Sequence, residues 1–489
     1  MRIRGERWAP FAHRLAIARE SARRSADFAN RARLRAEHRL AQGASADRCE
    51  YPERVKDSVL KSSWAALDRR LNSPAGFRVL LSLFLVVAIV FSAVPLLHYF
   101  RGRSIMDYKL WYDTGKHVLA GDEIFFLHNG KYDFMYPTPC AIFLAGASLL
   151  GQAGLILFLV AINSASWFIS AQLAAKLAAD QSGSHRVKNA WLYLVPSLLV
   201  IIYIWSSYHL GQASLVLLAL MLGAFVALRF EREIFAGALV AIAAAIKAFP
   251  VMAILYFIYR RHWTAVASLV VTLLFLLLVL PAPFRGFQRT WHDLEKWSVG
   301  MLKYSPSGIA QRPKRSQNWK NQSLVSVANR LLRHVDADAA SAPHTQKYVN
   351  FTDLQFGEVN VVIIGFALAL GILFIAVMPQ RQIRTAETDA IEFALLILMV
   401  LMLTPLAFGY LFSWLMLPFA VVTQRVLTGK NSTVLWWSVP ALAILALAVP
   451  FPRVAQMYGN TFFAALLLFF GLSIELLRCK RAGLQRPAA

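Results

Sequence analysis

Long apolar stretches separated by short polar segments dominate the chain from residue 77 onward. Because a helix needs about 20 apolar residues to cross the hydrocarbon core of a bilayer, we interpret these stretches as membrane-spanning helices. The alternating ten-residue segments of a transmembrane barrel do not occur. The pattern therefore predicts an all-α polytopic membrane protein with about ten full spans, near residues 77–100, 154–175, 190–207, 211–228, 263–281, 359–378, 390–406, 408–426, 433–450 and 460–477.

Two further apolar segments do not fit a simple crossing. Residues 139–150 are short for a span, and residues 235–258 carry Lys247 near their middle. If both form short or re-entrant hairpins, the basic residues at the ends of the spans fall on one side, whereas two full crossings would move some of them to the other. Since basic residues collect in cytoplasmic loops, the hairpin alternative is preferred. Both alternatives give the same two outer loops, 101–137 and 282–358.

The first 76 residues are polar and basic, with 17 Arg and Lys against 9 Asp and Glu, a net charge of +8. This cytoplasmic segment has no apolar core and does not read as a cleavable signal peptide. A helix on an anionic membrane surface and a disordered basic tail both fit its composition. We expect a transmembrane domain over residues 77–480, a cytoplasmic tail over 481–489, and both termini in the cytoplasm of a cell whose inner membrane holds the protein.

Composition supports this organisation. Of the 489 residues 57% are hydrophobic and 16% charged, and the mean hydropathy is +0.50. The net charge of +24 does not indicate nucleic-acid binding, because no nucleic-acid-binding motif accompanies it. The three cysteines form neither a disulfide framework nor a zinc pattern. Phosphate-binding loops, dinucleotide fingerprints and zinc-protease motifs are absent from the sequence. No metal and no cofactor are expected; Asp336-Ala-Asp338 matches a metal-binding DxD pattern only formally, in an alanine-rich loop.

Asp107 is the leading candidate for chemistry. It follows the first span directly, in an outer loop rich in Tyr, Trp and His, where a carboxylate can act at the boundary between lipid and water. The alternative is a surface ion pair with Lys109, Arg101 or Arg103. Asp113 and Asp122 are rivals in the same loop.

Lys247 is the second candidate. A lysine inside an apolar stretch costs several kcal/mol unless it is paired, so it is a functional candidate by default, although a structural lysine that reaches a membrane boundary is the alternative. Other polar motifs flank the predicted spans: Tyr136-Pro137-Thr138-Pro139, His209-Leu-Gly211-Gln212 and, in the second outer loop, Asn321-Gln322 followed by Arg330.

In this order the motifs resemble glycosyltransferase family 87, also described as a domain of unknown function, over roughly residues 80–430. Its best-known members are polyprenol-phosphate-mannose-dependent mannosyltransferases. The resemblance implies the GT-C fold, with the active site at the outer membrane face and an aspartate of the first outer loop, here Asp107, as general base. The other matching positions are Tyr112, Gly121, Tyr136, Pro137, Gly211, Gln212, Lys247, Pro250, Asn321, Gln322 and Arg330. The arginine-rich N-terminal segment and the ending Lys247-Ala-Phe-Pro250 depart from the family pattern.

The resemblance implies an inverting transfer of a sugar, mannose in the family's familiar case, from a polyprenyl-phosphate donor to a lipid or glycan acceptor. Candidates for the donor phosphate and sugar are Lys247, Arg315, Lys320, Asn321, Gln322 and Arg330, and those lining the acceptor and sugar sites are Tyr112, Tyr136, His209, Gln212 and Trp319. Two alternatives remain: a transporter or flippase, which should show paired broken helices in two related halves, and a non-catalytic assembly partner.

Overall fold

The computed structural model describes residues 65–128, 131–132, 134–179, 187, 189–302, 317–338, 346–429 and 433–484. The chain divides into two compact units, residues 1–75 and 76–489. In the described part of the first unit, residues 65–71 are helical, and the Asn72 side chain donates to Asp68 at 2.8 Å. The second unit carries the membrane-spanning helices and the candidate site.

The described chain is helical apart from a two-residue antiparallel ladder, β1 (Leu127–His128) with β2 (Lys131–Tyr132). The helices of the first half are α1 (Pro74–Phe100), α2 (Asp107–Leu119), α3 (Thr138–Ser148), α4 (Gly151–Ala178), α5 (Trp191–Leu199), α6 (Ile201–Leu210), α7 (Ser214–Arg229), α8 (Glu233–Ile246), a 3₁₀ turn (Phe249–Met252) and α9 (Ala253–Tyr259). There follow α10 (Trp263–Leu274), a π segment (Phe275–Val279), α11 (Ala282–Arg285), α12 (Phe287–Leu302), α13 (Leu324–Leu332) and α14 (Phe356–Val377). The remainder comprises a 3₁₀ turn (Arg381–Ile383), α15 (Ala386–Leu403), a 3₁₀ helix (Gly409–Leu415), α16 (Met416–Leu427), α17 (Thr433–Ala446), α18 (Pro452–Met457) and α19 (Asn460–Leu484).

Within the described residues, six helices are long and apolar enough to cross a membrane, or seven if the pair α5–α6, bent by 61°, forms one span. The polytopic membrane class is therefore confirmed, but the ten predicted full spans are not. The helices α7 and α17 have only 16 and 14 residues, and α15 carries Glu387, Asp389 and Glu392. The six spans are Pro74–Phe100, Gly151–Ala178, Trp263–Arg285, Phe356–Val377, Gly409–Leu427 and Asn460–Ala482.

Residues 233–259 turn back on themselves, as the hairpin alternative predicts. The imidazole Nδ1 of His262, just before α10, lies 2.6 Å from Glu233 Oε1 at the start of α8. A Cβ on Gly237 would lie 2.2 Å from the Ala265 carbonyl oxygen, so α8 and α10 begin together and run side by side. The chain between them must leave with α8, reverse near Lys247 and return through α9. With a rise of 1.5 Å per residue, α8 places Lys247 about 21 Å from the hairpin base.

Residues 138–162 leave the level of Gln212 and return to it. Tyr136 and Asn163, which bracket this segment, both bond to Gln212. The outgoing arm is α3, and the return arm is the first half of the 28-residue helix α4. Residues 139–150 alone are therefore not the predicted hairpin, because Thr138–Ser148 is a single helix. The chain returns in the first half of α4, whose continuation from Asn163 onward leads to the opposite end of the molecule.

Basic residues at the ends of several helices meet at that opposite end, which we call the basic end. Arg229 donates to the Lys176 and Ala386 carbonyls at 3.2 and 2.7 Å, and Lys480 donates to the Ala376 carbonyl at 2.9 Å. Arg260 pairs there with buried Glu392. This grouping agrees with the hairpin alternative.

Burial separates lipid-facing helices from central ones. Only 11% of the apolar window of α1 is buried, whereas 78% is buried in Gly409–Leu427. A helix that is hydrophobic all round is buried in a core or faces lipid, and α1, with Val79 and Ile89 both 67% exposed, suits the second role. The central position of residues 409–427 brings Tyr410 next to the tip of the first hairpin.

Candidate active site

Five side chains from distant parts of the chain form one connected group, which we call the site cluster. Gln212 Nε2 donates to Asp107 Oδ2, and the Tyr136 hydroxyl donates to Gln212 Oε1 at 3.0 Å. The Lys247 ammonium lies 5.4 Å from the centre of the Tyr136 ring and 4.9 Å from that of Tyr410, and it donates to the Tyr410 hydroxyl at 3.2 Å. Four of the five were predicted from the sequence, and the structure brings them together.

Asp107 is the first residue of α2, preceded by Met106 with φ 50° and ψ −130°. A non-glycine residue with positive φ is sparsely populated and persists only where surrounding contacts enforce it. Those contacts are visible: the Tyr108 hydroxyl donates to the Tyr208 carbonyl at 2.8 Å and Trp111 Nε1 to the Gly211 carbonyl at 2.7 Å. The helix N-terminus also favours a negatively charged side chain at this position.

Gly211 permits this docking. It ends α6 with φ 73°, a left-handed conformation that glycine adopts without steric cost. A Cβ there would lie 3.0 Å from carbons of the Tyr108 ring. The tight turn leaves Gln212 buried, and Asn163 Nδ2 donates to its carbonyl at 3.3 Å. The turn therefore fixes the amide that holds the Asp107 carboxylate.

Tyr136 is held from two sides. Its ring packs edge-on against Trp111 at 4.8 Å between centroids, and Trp297 Nε1 donates to the neighbouring Met135 carbonyl at 3.2 Å. Burial raises the pKa of the Tyr136 hydroxyl well above its usual value, and the nearby Tyr410 and Asp107 add to this. The phenol thus stays protonated and keeps donating to Gln212.

Lys247 stands at the reversal of the first hairpin. It ends α8 in an extended conformation, with φ −150° and ψ 123°. In the portion of the chain that the structure describes, its ammonium forms no ion pair with a carboxylate. Aromatic faces attract a cation without neutralising it, so this charge remains available to an anionic group.

Tyr410 was missed in the sequence analysis. It lies on the 3₁₀ helix Gly409–Leu415 and is 8% exposed. Its signal is the segment Thr404-Pro-Leu-Ala-Phe-Gly-Tyr410, where proline and glycine interrupt two apolar stretches on the side predicted to face outward. Trp111 and Asn163, which support Asp107 and Gln212, were missed as well because their contacts depend on the packing of separate helices.

The rival carboxylates of the first outer loop lie in surface pairs. Asp113 Oδ2 is 2.6 Å from the Lys109 ammonium, and Asp122 Oδ2 is 3.5 Å from His117 Nδ1. Lys109, considered above as a partner of Asp107, therefore pairs with Asp113 one helical turn later. Asp107 is distinguished from both rivals by its contact with a buried amide.

The predicted residues of the second outer loop lie elsewhere. Asn321, Gln322 and Arg330 are 0, 2 and 0% exposed. Arg330 donates to the carbonyls of Asn318, Asn321, Gln456 and Met457, and Gln322 Nε2 donates to those of Trp319 and Gln456. Their contacts hold protein segments together, which differs from the phosphate binding predicted for them. Arg315 lies outside the described residues.

Trp319 and Lys320 form part of an outer cluster. Trp319 Nε1 donates to Asp338 at 2.8 Å, the Lys320 ammonium lies 5.4 Å from the Trp319 ring centre, and Arg453 pairs with Asp338. Asp336 accepts from the Asp338 backbone N–H at 2.9 Å, so the DxD segment is a turn closed by its own side chains. Among the described residues, no group of three His, Cys, Asp or Glu side chains could hold a metal ion.

His209 and Tyr112 lie near the site cluster in the chain, with other neighbours. The His209 ring stacks on Trp205 at 5.7 Å and meets His98 edge-on at 6.0 Å, facing α1. Tyr112 is half-buried on α2, and its carbonyl accepts from Ser148 at 3.4 Å. Among the described residues, the hydrogen bonds and ring contacts of Gln212, Tyr136 and Lys247 do not involve either side chain.

Comparison with known proteins gives one match. The family model of glycosyltransferase family 87 matches residues 134–406, more than half of the 489-residue chain. The matched range contains Tyr136, Gln212 and Lys247, and it contains neither Asp107 nor Tyr410. No curated protein and no solved structure matches the chain.

Proposed function

Since the chain belongs to glycosyltransferase family 87, we propose that this membrane glycosyltransferase moves a sugar from a polyprenyl-phosphate donor to a lipid or glycan acceptor. Mannose is the first sugar to test, because it is the sugar of the family's best-known members. The reaction takes place at the outer face of the cytoplasmic membrane and inverts the anomeric centre. Asp107 is the general base.

The observation that carries the proposal is the site cluster itself. It holds a carboxylate and an ammonium group in one place, with Gln212 and Tyr136 between them in the chain of contacts. Direct pairing would neutralise both charges, whereas this arrangement gives each a different polar neighbour. Sugar transfer from a phosphate leaving group needs a base to deprotonate the acceptor and a cation to stabilise the departing phosphate.

In the proposed reaction an acceptor hydroxyl attacks the anomeric carbon of the donor sugar while Asp107 removes the hydroxyl proton. The bond between the anomeric carbon and the phosphate oxygen breaks, and the electron pair leaves with the phosphate. Because the nucleophile enters opposite the leaving group, a single displacement inverts the configuration. Gln212 orients the Asp107 carboxylate through its amide N–H.

The departing polyprenyl phosphate gains negative charge in the transition state. A cation fixed at that position stabilises the transition state more than the ground state. Lys247 has this role in the proposal, because its ammonium is held by two aromatic rings and no described carboxylate pairs with it. Asn321, Gln322 and Arg330 are not assigned to the donor phosphate in this proposal, because their described side-chain hydrogen bonds join segments of the protein.

The lengths of the helices agree with a site near one membrane boundary. From Phe77 to His98 the helix α1 rises about 31 Å, close to the thickness of a bilayer core. Phe77 contacts Tyr193, and His98 contacts His209, which lies three residues before Gln212 near the end of α6. With the basic end in the cytoplasm, the site cluster lies at the outer boundary, where a lipid-borne sugar is accessible.

Sugar transfer by the purified, detergent-solubilised protein tests the proposal. Radiolabelled polyprenyl-phosphate sugars are supplied with a lipid extract of the host, and wild type is compared with Asp107→Asn and Asp113→Asn. The second variant is a matched control, since Asp113 lies on the same helix in an exposed pair with Lys109. We expect wild type and Asp113→Asn to label a lipid and Asp107→Asn to lose at least about 100-fold in rate.

Equal transfer by Asp107→Asn and wild type would show that Asp107 is not the base. Absence of transfer by wild type with every donor tested, together with donor translocation across a reconstituted membrane, would instead favour a flippase. The anomeric configuration of the product, determined by nuclear magnetic resonance, tests inversion separately.

A further inference from the structure

The segment between α15 and the 3₁₀ helix Gly409–Leu415 joins the second outer loop to the site cluster. Its start is Thr404, where α15 ends, and its far end carries Tyr410, which accepts the hydrogen bond from Lys247 at 3.2 Å. Residues 404–408 form no regular helix. The position of Tyr410 therefore depends on what this segment is bonded to.

Asn321 binds the segment along its length. Its Nδ2 donates to the Pro405 carbonyl at 2.9 Å, and its Oδ1 accepts from the Ala407 N–H at 2.9 Å. The backbones of Asn321 and Phe408 form an isolated antiparallel bridge, and the Gln322 N–H donates to the Ala407 carbonyl at 2.8 Å. The fully buried Asn321 amide thus supplies hydrogen bonds to the backbone of Pro405 and Ala407, which lie outside a regular helix.

Asn321 is itself fixed. Arg330 Nη1 donates to the Asn321 carbonyl at 2.8 Å and also bonds to the Asn318 carbonyl and Ser326. On the other side of the segment, Ser214 Oγ donates to the Tyr410 carbonyl at 2.7 Å. Tyr410 is consequently held between the start of α7 and the outer loop.

We propose that Asn321 is a positioning residue of the active site, which holds residues 405–408 and thereby places the Tyr410 hydroxyl and ring against Lys247. This inference rests on the proposed function for its consequence in catalysis. In this proposal the Asn321-Gln322 motif affects the donor phosphate indirectly, through Tyr410 and Lys247, and does not contact it.

The test uses the full-length protein in detergent and compares Asn321→Ala, Tyr410→Phe and the double variant. Asn329→Ala is the matched control, because Asn329 is also a buried asparagine of the second outer loop and its Nδ2 donates to Val325 of its own helix at 2.7 Å. If Asn321→Ala does not yield folded protein, Asn321→Asp keeps the oxygen that accepts from Ala407 and replaces the amide donor by a carboxyl oxygen that faces the Pro405 carbonyl. Two readouts are recorded: kcat and KM for the polyprenyl-phosphate sugar, and the rate at which an acylating reagent modifies Lys247, measured by peptide mass spectrometry.

We expect Asn321→Ala and Tyr410→Phe each to lower kcat/KM by roughly tenfold, and the double variant to be no worse than the poorer single variant, because both act on one contact. Lys247 should react faster in both, and at the wild-type rate in Asn329→Ala. Multiplying effects in the double variant, or an unchanged Lys247 rate in Asn321→Ala, overturns the inference. The acylation readout does not require transfer, so it still decides the positioning role if wild type transfers no sugar and the proposed function fails.

Discussion

The two ends of the hairpin 233–259 hold their cations in opposite ways. At the base, Arg260 Nε donates to Glu392 Oε2 at 3.1 Å, and its Nη1 donates to the Pro379 carbonyl at 2.9 Å. At the tip, Lys247 faces the rings of Tyr136 and Tyr410. The base uses a charge pair to anchor the hairpin, whereas the ammonium at the tip contacts two aromatic rings and, within the described residues, no carboxylate.

This difference has an energetic meaning. A buried ion pair costs several kcal/mol per ion in desolvation and recovers this through a close, hydrogen-bonded partner. At the tip, no carboxylate among the described residues pairs with Lys247, and a cation over aromatic faces gains only about 0.5–2 kcal/mol per ring. Such an arrangement becomes more favourable when an anionic group binds beside the cation.

Removing the anchor should have the largest effect on stability. Glu392→Ala leaves Arg260 without its carboxylate and removes the acceptor of the Tyr256 hydroxyl, a bond of 3.0 Å. We expect the free energy of unfolding to fall by about 3–5 kcal/mol, measured by denaturant unfolding in detergent. Glu295→Ala, an exposed carboxylate on α12, is the control and should change stability by less than about 0.5 kcal/mol. Equal stability of the two variants would mean that the base of the hairpin is not anchored by this pair.

Removing the charge at the tip should affect catalysis and leave folding intact. We expect Lys247→Ala to lower the transfer rate by about 100- to 1,000-fold, the usual loss for one group that stabilises transition-state charge. Its unfolding midpoint should stay near that of wild type, because Lys247 forms no ion pair in the described structure. If Lys247→Ala unfolded as readily as Glu392→Ala and transferred sugar at the wild-type rate when folded, Lys247 would stabilise the fold and would not act in catalysis.

The two functions of Tyr136 can be separated. Tyr136→Phe keeps the ring over Lys247 and removes the hydroxyl that donates to Gln212 at 3.0 Å, so transfer should fall by about tenfold through a looser Asp107 carboxylate. Tyr136→Leu removes the ring as well and should raise KM for the donor in addition. Initial rates over a range of donor concentrations distinguish the two. Identical KM values for both variants would exclude the ring from donor binding.

The smallest effect concerns Glu123, a surface-loop carboxylate that pairs with Lys296 of α12. Burial raises the pKa of Glu123, but the bond from Lys296 and two backbone N–H groups more than offset this, and the net pKa lies below the usual value. A carboxyl group with a lowered pKa stabilises the fold above its unfolded pKa, and the stabilisation is lost as the pH falls through the folded value. Lys296→Met should therefore cost under about 1 kcal/mol at pH 7, and the cost should shrink as the pH is lowered toward about 3. Unfolding curves at both pH values test this, and a cost that grows in acid would contradict the sign.

Much of the site was predictable because each of its motifs is local. Asp107 follows an apolar stretch directly, and Lys247 interrupts another one three residues before Pro250. Both are visible as polar residues where the apolar pattern breaks, and the basic clusters predict which side of the membrane each break faces. The same reasoning overestimated the number of full spans, because apolarity alone does not reveal that α7 ends after 16 residues.

The sequence by itself determined the membrane class and singled out four residues that the structure brings together in the site cluster. Only the tertiary structure decided that these four meet, since Asp107 and Gln212 are 105 positions apart and Lys247 and Tyr410 are 163 apart. It alone revealed that Asn321 bonds to the segment leading to Tyr410. The physical reason is that periodicity and charge act within one helix or loop, whereas contacts between helices depend on how their side chains pack together.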